Sequence, residues 1–170
     1  MQTSYKMKSI LVKLDNLSGK EASIYGILVD DLQITSFETF LEENKIIFIC
    51  ELIDIISRLQ SIGNVIGARE QFFKLDDGNK RGGVCALFDT PNKKLRLFYK
   101  RYGTSIVIVG GGGPKNVQKL KLVEKLNKEK HLLRKLSALI TERFKEGEIS
   151  FTKDYRDFLG NLEFNDEDYE

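Results

Sequence analysis

Cysteine and histidine are scarce in this 170-residue chain, and their scarcity excludes several kinds of chemistry at once. Two cysteines, Cys50 and Cys85, and one histidine, His131, are too few to make a zinc site by themselves. Both cysteines lie in apolar runs, so they read as small buried hydrophobes in a reducing compartment and not as a disulfide framework. Long hydrophobic stretches are missing as well. No apolar run approaches the ~20 residues that cross a bilayer, and the opening MQTSYKMKSIL has no long apolar core after its lysines. A soluble cytoplasmic protein with no membrane partner is therefore expected. Internal repeats and low-complexity tracts are also lacking. The one glycine run, Gly110 to Gly113, leads into Pro114, Lys115 and Asn116. A nucleotide-binding P-loop needs Gly-Lys followed by a hydroxyl residue that holds magnesium, and neither part is present, so no cofactor is implied. Four glycines at a strand end still allow backbone to approach a phosphate, with Lys115 at the rim.

At this length one domain, residues 1–170, can bury a core without staples. The net charge of +2 hides an uneven distribution. Residues 1–60 hold 6 Lys/Arg against 9 Asp/Glu, residues 61–120 hold 11 against 4, and residues 121–170 hold 10 against 12. The positive charge is concentrated in the middle third, which points either to a polyanionic partner or to a solubilising surface.

The middle third has a clear pattern. Val84 to Asp89 is a short apolar run closed by the turn residues Thr90, Pro91 and Asn92. Lys94 to Arg101 alternates, with Leu95, Leu97 and Tyr99 on one face and Lys94, Arg96, Phe98 and Lys100 on the other. Gly103, Thr104 and Ser105 connect tightly to Ile106 to Val109, which is apolar on both faces and reads as a central strand. Connections this short impose an antiparallel meander, because a parallel crossover needs a dozen or more residues. Cations interleaved with an aromatic ring are what single-stranded nucleic acid asks of a sheet: charge for phosphates and a flat face for bases. The alternative is a solvated outer face.

Elsewhere, Ser9 to Leu14 and Ile24 to Val29 predict a hairpin around Asn16, Ser18 and Gly19. Ser36 is the expected N-cap of a helix that uses Phe37, Phe40 and Leu41 and ends near Asn44. The segment IIFICELIDIISRLQSIG, apolar at Phe48, Leu52, Ile55, Ile56, Leu59 and Ile62, predicts a buried helix stopping at Gly63, although Ile46 to Cys50 also fits a strand. Asn64 to Gly83 carries Arg69, Lys74, Lys80 and Arg81 around Phe72 and Phe73, either as a mobile loop over a ligand or as an ordinary long connection. Asn116 is the expected cap of a helix running to about Glu146, with Leu122, Leu126, Leu133, Leu136, Ile140 and Phe144 as its stripe and Gly147 as its stop. Its expected berth is the chain's own sheet. The tail FNDEDYE is acidic and expected to fray.

A helical portion, then strand, turn, KLRLFYKRYG, an apolar strand and a glycine-rich end with a lysine resembles the RelE/HigB/ParE superfamily of bacterial toxins, and within it the HigB-like branch. The resemblance covers about residues 63–115. It implies an α+β fold with helices packed on a twisted, mainly antiparallel sheet, here with a toxin-like core at about 35–115, an extra N-terminal hairpin at 9–29 and a long C-terminal helix. It also implies a type II toxin: a metal-independent endoribonuclease that cuts messenger RNA on the ribosome and is silenced by a helix-turn-helix antitoxin. Arg96 matches the arginine of the alternating strand, and Lys115 the lysine after the last strand. Two departures bear on catalysis more than on fold. Ala86, Leu87, Phe88 and Asp89 replace a Glu-Leu-Arg element, and Lys115 stands alone where paired lysines with Thr-Pro are usual.

Metal-free RNA cleavage needs a base for the 2′-hydroxyl, cations for the crowded phosphorane and an acid for the leaving 5′-oxygen. His131 lies off its helix stripe, so the candidate catalytic residues are Lys94 or Lys100 as base, lowered in pKa by neighbouring cations, Arg96 as bidentate clamp, and Tyr102 as acid. Arg81, Phe98, Arg101 and Lys115 are the further candidate RNA contacts. Two alternatives remain: a non-catalytic toxin-like protein that binds gyrase or an antitoxin, and a regulatory α+β protein.

Overall fold

The alternation of residues 94–101 is realised as an interior strand of a mixed sheet covered on both faces. The structure, a computed structural model, describes residues 8–30, 32–69, 73–75, 84–87, 92–116 and 118–165. The N-terminal hairpin forms from β1 (Ser9–Lys13) and β2 (Ser23–Val29). Helix α1 (Ser36–Asn44) and helix α2 (Ile49–Ser61) follow, and α2 runs on through a wider π turn, Ile62–Ile66. Then come β3 (Phe73–Leu75), β4 (Val84–Leu87), β5 (Leu95–Tyr102) and β6 (Ile106–Pro114). Helix α3 (Leu120–Glu146), β7 (Ile149–Phe151), β8 (Phe158–Gly160) and β9 (Glu163–Phe164) complete the described chain.

The sheet order is β3-β4-β5-β6-β2-β1-β9, antiparallel throughout except where β2 and β6 run parallel. β4, β5 and β6 form the expected meander, and β6 is the central strand. The hairpin is no appendage: β2 pairs with β6 through Ser23–Ile106, Ile24–Val107 and Tyr25–Ile108, so hairpin and meander share one sheet.

Alternation then divides the core in two. Ile24, Leu95, Leu97, Tyr99, Val107 and Val109 point to the α1–α2 side, where Phe37, Phe40, Leu52, Ile55 and Leu59 cover them. Tyr25, Ile27, Phe98, Ile106 and Ile108 point to the opposite side, under Leu133, Leu136 and Ile140 of α3 and Phe158 of β8. A strand that is apolar on both faces demands this, because each face must be removed from water.

Several local expectations shift. The cap of α1 is Thr35 and not Ser36: its hydroxyl accepts from the Glu38 amide and donates to the Glu38 carboxylate, both at 3.2 Å. Asn44 closes α1 as the last residue, its amide donating to the Phe40 carbonyl at 2.8 Å. α2 does not stop at Gly63; the helical path ends at Gly67, whose φ is +72°. Nor does Asn116 cap α3. It takes a left-handed φ of +58°, and α3 begins four residues later behind Lys119. The far end is as expected, with Gly147 left-handed at φ +78° and its amide bonded back to α3.

The α2 segment is only half core. Leu52, Ile55 and Leu59 are buried, but Ile46 and Ile47 are 87% and 80% exposed, and Ile49, Cys50 and Ile53 are exposed too. The Cys50 expectation is thus overturned. One stripe of an amphipathic helix faces the sheet, and among the described residues the remainder of this apolar helix meets nothing to pack on. Among the described residues no helix is long and apolar enough to cross a membrane.

Candidate anion-binding site

The glycine run is part of the sheet. Gly110 to Gly113 continue β6 as buried residues, and the absence of side chains lets α3 lie close. A Cβ on Gly110 would meet Leu133 at 3.5 Å, on Gly111 Glu129 at 2.6 Å, and on Gly113 Leu126 at 3.8 Å. Gly112 is tighter still, since its Cβ would fall 1.9 Å from the Arg96 carbonyl oxygen. The glycines receive helix and strand, and packing rather than a phosphate accounts for them.

Where β5 enters and β6 leaves the sheet, a cleft of about 230 Å³ opens against the N-terminal half of α3. Arg96 and Phe98 come from β5, Lys115 and Asn116 from the end of β6, and Leu126, Asn127 and Lys130 from α3. Register brings these together: Arg96 pairs with Gly113, and the Lys115 amide donates to the Lys94 carbonyl at 2.9 Å. The strand entrance is pinned from the other side, where the Glu51 carboxylate of α2 accepts from the amides of Lys94 and Leu95, each at 2.9 Å, and Asp54 meets Lys93 at 3.2 Å. Lys93 and Arg58 hold Asp54 below the usual carboxylate range, although burial, the largest influence, acts in the opposite direction. Three cations, Arg96, Lys115 and Lys130, line the cleft, and its described lining carries no carboxylate. Cations of this kind, one of them 7% exposed Lys115, favour an oxyanion over a neutral ligand.

The eight candidate site residues divide accordingly. Arg96, Lys115 and Phe98 reach the cleft, but Phe98 is 5% exposed beneath α3 and offers no open face for a base. Lys94 is exposed at the strand entrance, outside the cleft lining. Lys100 and Tyr102 lie toward the other end of β5, with the Lys100 amine 5.3 Å from the Tyr102 ring centre. Four residues along a strand are about 13 Å, and Lys100 is not part of the cleft lining that holds Arg96. The Tyr102 ring packs edge-on against Phe158, 5.4 Å between centres. Burial pushes its hydroxyl up to about 12, against a smaller downward pull from Ser137. Tyr102 is outside the cleft lining, so a ligand held by Arg96 and Lys115 does not meet its hydroxyl there. Arg101 donates to the Ala68 carbonyl at 3.0 Å, bracing the loop after α2. Arg81 lies outside the described residues.

Asn127 and Lys130 are functional candidates that reading the strand alone misses. The apolar stripe of α3 steps from Leu126 to Leu133, and Lys130 stands where the helical repeat calls for another apolar residue. That gap in the stripe is the signal. Among the described residues no group of three His, Cys, Asp or Glu side chains is placed to hold a metal ion. Comparison with protein-family models, with curated proteins and with solved structures finds no match to this chain.

Proposed function

We propose that this protein binds RNA through its sugar-phosphate backbone at the Arg96–Lys115–Lys130 cleft, as a toxin-like α+β protein of the RelE/HigB/ParE type. The supporting observation is convergence. Arg96 and Lys115, the two residues that the resemblance carries over, line one cleft free of described carboxylates, although the chain between them makes a full strand turn. Arg96 is the bidentate clamp, and Lys115 and Lys130 add charge around the phosphate. In that role the protein engages messenger RNA on the ribosome and is opposed by a helix-turn-helix antitoxin. Cleavage would use the same cations to stabilise the phosphorane, with Lys94, just ahead of β5, accepting the 2′-hydroxyl proton and returning it to the departing 5′-oxygen, which leaves a 2′,3′-cyclic phosphate and a free 5′-hydroxyl.

The test expresses the protein inducibly beside Arg96→Ala at matched abundance, following growth and messenger integrity, and measures binding of a short oligouridylate to both purified proteins. Losing one bidentate charge-assisted contact worth about 1.5–3 kcal/mol weakens binding at least about tenfold. Arrest with cut messengers, abolished by the substitution, supports the nuclease form. Arrest with intact messengers supports a binding toxin. Oligonucleotide affinity equal in the two proteins rejects the cleft as the RNA site.

A further inference from the structure

The pattern sought on β5, cations interleaved with a ring, recurs on α3 in a place open to solvent. Beyond the cleft, α3 forms the floor of a second, shallower concavity of about 510 Å³, lined by Glu124, Asn127, Lys128, Lys130, His131 and Arg134. Asn127 and Lys130 line both hollows, so the two adjoin. The spacing 127, 130, 131, 134 is one helical stripe, with Asn127 and His131 exposed along it and the exposed Lys128 at its side. Unlike Phe98, the imidazole ring of His131 is therefore available to a base.

We infer that this stripe is a track for the continuing strand of the RNA held at the cleft, and that the ligand is a single-stranded polynucleotide and not a mononucleotide. The inference rests on the cleft reading and extends it. From Asn127 to Arg134 the helix rises about 10 Å, which a stacked strand at about 3.4 Å per nucleotide covers in about three steps. Lys128, Lys130 and Arg134 take phosphates, and His131 supplies a stacking face between them. A duplex presents its bases paired and inward and gains nothing from the ring. Glu124, at the N-terminal end of the stripe, bounds the track by repelling phosphate.

The experiment measures binding of oligouridylates of two, four and eight nucleotides to the full chain, across a salt series, for wild type, Arg96→Ala, Lys128→Gln, Arg134→Gln and Arg134→Lys. Wild-type affinity rises from two to eight nucleotides. Each glutamine substitution removes part of that gain and lowers the slope of log affinity against log salt by about 0.7, the value for one phosphate contact on a single strand. Arg134→Lys restores the slope, which separates charge from a structural role for this partly buried residue. Glu124→Gln tightens the longer oligomers. Affinity independent of length, with Arg96→Ala still weakening the dinucleotide, overturns the track and leaves the cleft standing. A dinucleotide indifferent to Arg96→Ala removes both. Equal affinity for duplex and single strand of the same length also overturns the track.

Discussion

Gly112 shows how strictly one position can be specified. With the Arg96 carbonyl oxygen where a Cβ would sit, Gly112→Ala forces β5 and β6 apart at the cleft wall. The expected cost is about 1–3 kcal/mol, as for other overpacked sites, together with weaker oligouridylate binding because Arg96 moves. Chemical denaturation and the binding assay read the two effects separately. Glu129 tells a different story on the same strand. Its carboxylate rests against Gly111, and its Oε2 finds no hydrogen-bond partner among the described residues. Burial raises its pKa above the ordinary 4.5; Lys125 and Lys128 pull it down, and Glu43, itself paired with Lys125, pushes it up. A raised carboxylate pKa stabilises the fold fully below the ordinary value, and that contribution is lost as pH rises through the folded value. Glu129→Gln is accordingly more stable than wild type at pH 7, by an amount that shrinks on acidification. Urea midpoints at pH 4 and pH 7 check this, and a difference that grows at pH 4 refutes it.

At the scale of elements, the apolar content of α2 and its approach overstates how much of the segment is core. Leu52, Ile55 and Leu59 face the sheet side, whereas Ile46 and Ile47 occupy the corner between α1 and α2 in full contact with water. Leu52→Ala is expected to cost about 2–5 kcal/mol, and Ile46→Asn or Ile47→Asn less than about 0.5. Thermal midpoints of the purified variants decide this, and a large loss at Ile46 or Ile47 would mean that the corner is covered. The covering of β5 was legible in principle. Ile106 to Val109 is apolar on both faces, so the sheet needed a layer on each side, and an open basic face on the adjacent strand was inconsistent with that requirement. The alternating pattern of β5, judged alone, gave no warning because Phe98 interrupts the cations only once.

For the whole molecule, the short strands after α3 tie the end of the described chain back to its start. β9 pairs with β1, and the buried Arg143 donates to the carbonyls of Asn161 and Glu163 at 2.8 and 2.6 Å while stacking 4.0 Å from the Phe164 ring. Asp157 accepts from Ser23 at 3.1 Å, Tyr25 at 3.0 Å and Lys13 at 3.0 Å. Burial raises the Asp157 pKa, but these hydrogen bonds together outweigh it and hold the group below the usual carboxylate range. Its contribution has the opposite sign to that of Glu129: full above the ordinary aspartate value, 3.8, and lost as pH falls through the lower folded value. Asp157→Asn therefore destabilises at pH 7 and flattens the acid limb of stability against pH. Amide exchange should show the loss as faster opening of β1 and β8, and unchanged protection there would contradict it.

Sequence by itself determined the hairpin, the meander, three helices, the central place of β6 and the stop at Gly147, because periods of two and 3.6 and the special backbone of turn residues act between near neighbours. Only the tertiary structure decided that four glycines seat a helix, and that Arg96, Lys115 and Lys130 share a cleft from which Lys100 and Tyr102 are excluded. Those outcomes depend on strand register and on where a helix from a distant part of the chain docks. Both are settled by which apolar surfaces must leave water together, and no local pattern encodes that sum.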